Sequence, residues 1–299
     1  MANTISYASK YAPELDKMIT QKAVTGFFSD GGFKARFTGA KTVFLPELTT
    51  VGLGNYNAGE GYKRGQVVLK HTPYDLKMSR GRQILLDNQD MDESGVPDLT
   101  GQVVGEYTRN EIIPELDAYV LSTLYAIANE KGNITTYDST KAVAQLLATI
   151  NSVEAACEYG DTPLVAFVDP VLYGILQNSP EINRQLVVSD FKKGEVDFKV
   201  KHLNGVAILP VSSRRMKSEY IFADGSDASV GGFTPTETAK DVRAIVAPKD
   251  AVNLIKKVQK VDLLSPGEVE DFDAYKINFR LYYDSIVKES RKGTIFAIA

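Results

Sequence analysis

Residues 108–131 read TRNEIIPELDAYVLSTLYAIANEK, and this stretch decides the fold. Ile112, Leu116, Val120, Leu124 and Ile127 recur at steps of three and four, which places them on one apolar stripe of a helix. Thr108 and Glu111 have the spacing of a capping box, a pair that satisfies two orphan amides at a helix start. Gly132 stands where a helix of this length stops. Pro114 lacks an amide proton and crowds the preceding turn. The pattern therefore predicts a helix that either begins near Ile113 or bends there. At 1.5 Å per residue it is about 30 Å long, a spine on which other pieces are hung.

Downstream, residues 138–158 repeat the helical pattern with Val143, Leu146, Leu147, Ile150, Val153 and Cys157. Leu164–Val168 is a short apolar strand. Asp169-Pro170 starts another helix, with Asp as N-cap and Pro in the first position. Further strands are expected over 205–211, 219–223 and 241–247. Helices and strands mixed within one domain's length make an α+β or α/β domain. Near the end, Tyr275, Ile277, Phe279, Leu281 and Tyr283 alternate with Lys276, Asn278 and Arg280. That run predicts a strand about 40 Å long. Residues 258–264 precede it across the turn SPGEVEDFD, so the two form an antiparallel pair lying along the spine.

Upstream, residues 37–92 read as β. A strand begins at Thr42, with Pro46 marking an edge. VGLGNYNAGEGYKRG (51–65) carries five glycines and specifies a turn or tip rather than a core. Extended residues resume from Gln66. Two extended runs around such a tip are a long hairpin. No third strand is evident to shelter it, and a lone hairpin is marginal in water. Residues 1–36 read as an arm, with a short helix at 11–25, ordered by other subunits.

The 299 residues suggest about two domains, and 43% hydrophobic with 24% charged residues is an ordinary soluble composition. No apolar run is long enough to span a membrane. Net charge is −4, and the Lys and Arg pairs are scattered, which argues against a nucleic-acid grip. His71, His202 and the single Cys157 leave a His/Cys metal site almost without ligands. Asp90, Asp92, Ser94 and Gly95 mimic the start of a calcium loop. Its twelfth position would be Gly101 rather than Glu, so a capped turn is the better reading. No nucleophile elbow, zinc-protease motif or phosphate loop occurs. Asp271 and Asp273 are an acidic pair of the kind that usually lies on a surface. No residue is singled out for catalysis, metal or cofactor.

Three segments carry a resemblance: YDLKMSRGRQILLDNQDMDES (74–94), VVGEYTRNEIIPELDAYVLSTL (103–124) with its Pro-Glu-x-Asp-Ala-Tyr run, and KVQKVDLLSPGEVEDFDAYKINFRLYYDSIVKESRKGTIF (257–296). In that order, the chain resembles a tailed-bacteriophage major capsid protein of the HK97 fold, in the branch infecting Gram-positive bacteria. The resemblance implies an N-arm (1–36), an E-loop hairpin (37–92), a P-domain spine helix (93–133), an A-domain (134–250) and P-domain closing strands (251–299). It also implies a non-enzymatic shell subunit with no cofactor. Such subunits assemble as hexamers and pentamers into an icosahedral capsid around double-stranded DNA, with weak DNA contact. A separate scaffolding protein, a portal protein and location in the virion, after synthesis in the host bacterial cytoplasm, follow from the same likeness. Lys63 and Lys70 are available for a crosslink, though no motif selects either. An encapsulin-type shell around protein cargo, and an enzyme with its site in the mixed domain, are the rival readings.

Overall fold

A computed structural model describes residues 15–30, 36–37, 42–56, 58–59, 62, 64–87, 99–158, 162–179, 187–193, 196–227, 230–264 and 274–299. The acidic cluster at 90–95, the pair Asp271 and Asp273, Lys63 and the turn 265–273 lie outside these residues.

Residues 15–22 form helix α1, followed by a 3-10 turn over Val24–Asp30. An arm ordered only by neighbours was expected here, and the structure corrects that. Leu15, Ile19, Ala23, Phe27 and Phe28 are buried in the chain's own core. Phe28 meets Phe167 with ring centroids 5.6 Å apart. The apolar side chains at 15, 19 and 23 fall on one face of a helix, so the segment has an internal surface to cover.

The hairpin forms as expected, from β2 (Thr42–Thr50) and β3 (Val67–Asp75), in register from Thr42↔Asp75 to Thr50↔Val67. A short companion strand, β1 (Arg36–Phe37), pairs with β2 only at Phe44 and Val43. Beyond it no described strand pairs along the outer edge of β2, and Pro46, which has no amide proton to donate, stands on that stretch. Strand β4 (Met78–Asp87) follows directly and joins a different sheet.

The spine is one continuous helix, α2. It consists of an α-helical part over Leu99–Tyr107, a π turn over Thr108–Ile112 and an α-helical part over Ile113–Glu130. The expected capping box is absent. Thr108 is buried mid-helix, and its hydroxyl donates to the Val104 carbonyl at 2.7 Å. Val103, Val104 and Tyr107 extend the apolar stripe and pack on the core, which carries the helix back past the expected start. The π turn answers the proline problem. The Ile113 amide bonds to the Thr108 carbonyl one residue further back than in an α-helix, so the ladder is already shifted where Pro114 has no donor to give. Gly132 ends the helix at φ +73°; its amide bonds to Asn129 and that of Asn133 to Ala128, which closes a Schellman motif.

After β5 (Ile134–Thr135), helix α3 runs over Ala142–Ala156, four residues shorter at its start than the pattern suggested. The Asp138 carboxylate accepts from the amide and hydroxyl of Thr140 and makes a turn there instead. Strand β6 (Leu164–Val168) leads to helix α4 (Pro170–Asn178), with Asp169 capping the Leu172 amide at 2.9 Å as expected. Then come β7 (Val187–Lys193), β8 (Val196–Leu203), β9 (Val206–Pro210), β10 (Tyr220–Phe222), β11 (Phe233–Pro235) and β12 (Ala244–Pro248). Strands β7, β8 and β11 had no sequence signal strong enough to name.

A seven-stranded sheet runs β5-β15-β12-β6-β9-β8-β7, where β15 is Phe296–Ile298. Every residue of β6 is buried, which explains its unbroken apolar run: both faces of the sheet are covered. Val165 and Phe167 face the spine core, while Leu164, Ala166 and Val168 face α3 and α4.

The chain closes with β13 (Val252–Leu264) and β14 (Ala274–Val287), antiparallel from Val252↔Val287 to Leu264↔Lys276. β14 is central, because β4 pairs along its other edge. Its face bearing Ile277, Phe279, Leu281 and Tyr283 shares a core with Leu116, Val120 and Leu124 of the spine. On the opposite face, Tyr282 and Ile286 are covered by Val43, Tyr74 and Leu76 at the hairpin root.

Leu124 and Phe28 both have 0% exposure. Substituting either by alanine is expected to lower unfolding free energy by roughly 2–5 kcal/mol. Denaturant titration checks this. An unchanged midpoint for Phe28→Ala would mean that the N-terminal segment is not part of the core.

Candidate assembly site

In the run Pro114 to Tyr119 the first five residues are buried and Tyr119 is half-buried, and each of its polar residues has a structural partner. Glu115 is held by Arg80 of β4 in a two-pronged ion pair, Nε to Oε1 at 2.6 Å and the second guanidinium nitrogen to Oε2 at 3.0 Å. Tyr283 of β14 donates its hydroxyl to the same carboxylate at 2.8 Å. Arg80 also donates to the Ala223 carbonyl, and to that of Gly232 at 3.4 Å, so it fastens the 223–232 loop between β10 and β11. Such paired geometry suits arginine, whose planar fork matches a carboxylate.

Asp117, with no exposed surface, accepts from the amides of Val24 and Thr25 at 3.1 and 2.9 Å, from the Thr25 hydroxyl at 2.7 Å and from Arg215 at 3.0 Å. It thus acts from a distance as a cap for the 3-10 turn that begins at Val24. Tyr119 donates to Asp284 at 2.8 Å, and the Lys77 amide donates to the other oxygen of that carboxylate at 3.2 Å. Burial, followed by the neighbouring carboxylates, pushes the Tyr119 and Tyr283 hydroxyls up from their ordinary range. Tyr220, which donates to the Arg214 carbonyl at 2.8 Å, is pushed up to about 12 by burial.

The hairpin tip presents the opposite picture. Described residues from 51 to 71 are all exposed, among them Val51, Tyr56, Val67, Val68 and Leu69. Leu53 is 107% exposed and Tyr62 90%, and the rings of Tyr56 and Tyr62 lie 5.0 Å apart. Large apolar side chains exposed together on one element are unusual on a protein surface that has no partner.

At the hairpin root a half-open cavity of about 470 Å³ lies between β4, β14, the π turn and the 223–232 loop. Its ionisable groups include Arg80 and Glu115, already bonded to each other. His71 is exposed and His202 half-buried; Cys157 is buried, and burial pushes its thiol up. Among the described residues no group of His, Cys, Asp or Glu is placed to hold a metal, and no helix is long and apolar enough to cross a membrane.

No protein-family profile matches the sequence, and no curated protein does. Solved structures do. The capsid of cyanophage P-SCSP1u superposes with a TM-score of 0.55 at 13% identity, covering 88% of this chain and 84% of that one. The mature capsid of bacteriophage PhiM1 gives 0.51 at 14%, covering 87% and 82%. A chain of Microbacterium phage Oxtober96 gives 0.53 at 16%, covering 91% and 90%. The fold is the HK97-like fold of phage major capsid proteins. Within the HK97-like fold the Pro-Glu-x-Asp-Ala-Tyr run has a physical account. Its residues join the spine to β4, β14, the N-terminal segment and the 213–215 turn. Sequence reasoning quoted that run but named none of its partners; Arg80 and Arg215 lie far from it in the chain.

Two outcomes follow. Arg215→Ala strands the buried Asp117 charge and is expected to cost roughly 3–5 kcal/mol. Hydrogen exchange should then accelerate first at residues 23–30, and protection unchanged there would refute the link. For pH, the Tyr220 hydroxyl ionises at about 12 in the fold against 10.0 ordinarily. The folded chain therefore holds this proton longer than the unfolded one. Its contribution is complete below pH 10 and is lost as pH rises towards 12. Denaturation midpoints should fall across that window and fall less steeply in Tyr220→Phe. Equal slopes would refute the assignment.

Proposed function

We propose that this chain is the structural subunit of an icosahedral phage capsid, joining in hexamers and pentamers to enclose double-stranded DNA. The observation that carries this reading is a hairpin whose tip is apolar, exposed and projected away from a subunit that is otherwise well packed. A protein that worked alone would gain nothing from such a surface and would risk aggregation. The HK97-like fold supports the same reading. In its terms residues 1–36 are the N-arm and 37–92 the E-loop. The P-domain comprises 93–133 and 251–299, and the A-domain 134–250. Strand β4 is then the place where the E-loop is anchored in the P-domain sheet.

The subunit works by contact and not by catalysis. Its partners are further copies of itself, a scaffolding protein, a portal protein and packaged DNA touched weakly. Mild net negative charge, −4, suits that last role, because many phosphate contacts would hinder packaging and release. The finished protein resides in the virion, after synthesis in the host cytoplasm.

Electron microscopy of protein co-expressed with its scaffold tests the proposal. Closed shells of hexamers and pentamers are expected. A chain that stays monomeric with a cooperative fold under every assembly condition would sink it. Replacing Leu53 and Tyr62 together by serine should leave subunit stability within about 0.5 kcal/mol, as for surface positions, while shells fail to form. Normal shells from that variant would remove the hairpin from the assembly surface.

A further inference from the structure

We propose that Asn204 is a site of spontaneous deamidation in the folded chain, and that its isoaspartyl product unfastens the β7–β8 ribbon from the seven-stranded sheet. The inference stands on one turn and is independent of the shell reading.

Asn204 and Gly205 are the two residues between β8 and β9, and the pair Leu203↔Val206 closes them into a hairpin. Both have left-handed backbones, φ 52° and 82°, as a two-residue turn of the I′ kind requires. Both are exposed, and among the described residues no atom lies within 4 Å of where a Cβ on Gly205 would stand. The Gly205 nitrogen is therefore uncrowded, and the turn is open to water. Every other asparagine of the chain is followed by a residue with a side chain, which hinders attack by the next backbone nitrogen. The described rival is Asp224-Gly225. Its carboxylate accepts from the hydroxyl and amide of Ser226, and those bonds hold it below the usual carboxylate range. An ionised carboxylate resists nucleophiles, whereas the Asn204 carboxamide is neutral.

The reaction needs only water. The Gly205 backbone nitrogen attacks the carboxamide carbon of Asn204, and a new C–N bond closes a five-membered imide. The C–NH2 bond breaks, and the leaving group departs as ammonia with the proton that the Gly205 nitrogen gives up. Water then adds to one of the two imide carbonyls and breaks one C–N bond, which returns a proton to the nitrogen. Opening at the side-chain carbonyl yields aspartate; opening at the main-chain carbonyl yields isoaspartate.

The two products differ in what they do to the fold. Aspartate keeps the backbone atom count, and Asp-Gly is itself a good I′ turn. Isoaspartate routes the chain through the β-carbon and adds one backbone atom to a turn that has no slack. Leu203 and Val206 flank it directly, both buried in the apolar layer with α3 and α4. Strand β8 joins the sheet through three pairs with β9, Lys201↔Ile208, His202↔Ala207 and Leu203↔Val206, while β7 and β8 hold each other through seven. So short a ladder beside the turn opens locally, which lets the attacking geometry be reached without global unfolding. The same shortness makes the ribbon depend on the turn's register.

The test ages the purified full chain in warm, mildly alkaline buffer, folded throughout, and maps deamidation by peptide mass spectrometry. Acid forms are expected at Asn204 ahead of every other asparagine, as two chromatographic species, one of them a substrate for an isoaspartyl methyltransferase. An amide retained at Asn204 in the folded chain while it converts in denatured chain would overturn the site. Hydrogen exchange reads the consequence. Peptides from 187–203 should show a second population exchanging several-fold faster, equal in size to the isoaspartyl fraction, with β6 unchanged. Enzymatic repair of isoaspartate to aspartate should remove that population. Asn204→Gly, which keeps an I′ turn and has no carboxamide, should not age at these residues. Freshly prepared Asn204→Asp should exchange like the unaged chain. Faster exchange in that variant would assign the effect to charge rather than to the added backbone atom and would overturn the mechanism. So would an isoaspartyl fraction whose exchange matches the fresh protein.

Discussion

Asp117 has no exposed surface, and its two oxygens take four donors from two distant parts of the chain. A buried carboxylate is costly unless it is paired and hydrogen-bonded, so this side chain enforces the arrangement around it. Remove the Val24–Thr25 amides and the charge is under-satisfied; remove Arg215 and it is uncompensated. Glu115, two residues earlier, imposes a similar condition on Arg80 and Tyr283. At 3.6 residues per turn, positions two apart point to nearly opposite sides of a helix. The spine therefore holds one set of partners on each side with charged groups, in a region where apolar packing alone would permit sliding.

The two sides are also joined around the helix. Arg215 belongs to the turn Ser213–Arg215, whose Arg214 carbonyl accepts from Tyr220 at the start of β10. Tyr220 and Phe233 pack on Ala118, the small residue between Tyr119 and Asp117. The ribbon β10–β11 then carries the chain to the 223–232 loop, which Arg80 grips from β4. The circuit runs from the N-terminal segment through Asp117, the ribbon and Arg80 to the hairpin root.

How much of this was legible in the sequence depends on the kind of signal. The spine stripe, β14 and the Asp169-Pro170 start were readable because period and cap chemistry are local. The helix start at Leu99 was not, because the capping-box spacing of Thr108 and Glu111 imitates a terminus while Val103, Val104 and Tyr107 silently continue the stripe. Pro114 read as a break because only the structure shows the π turn that prepares the ladder for it. The N-terminal segment was misread as an external arm because the surface that covers Phe27 and Phe28 comes from residues far along the chain, such as Phe167 and Lys249. Strand β11 has three residues and no turn chemistry strong enough to announce it. The tip was legible as glycine-rich, but its root cavity was not, since four separated segments build it.

The division of chemistry between the two ends of the hairpin carries the functional argument further. At the root, Val43, Tyr74 and Leu76 cover Tyr282 and Ile286, so the hairpin is fixed to the subunit by its own apolar contacts. At the tip, apolar residues of similar size, Leu53, Tyr56 and Tyr62, are exposed. One continuous element thus uses apolar side chains at its root for folding and leaves others at its tip exposed. The polar nodes at Glu115 and Asp117 make that tolerable. They fix the subunit's interior by directional, charge-assisted bonds among groups that are already paired with one another. The uncovered surface is therefore held in reserve at about 30 Å from the root, where it can be satisfied only by something outside the subunit.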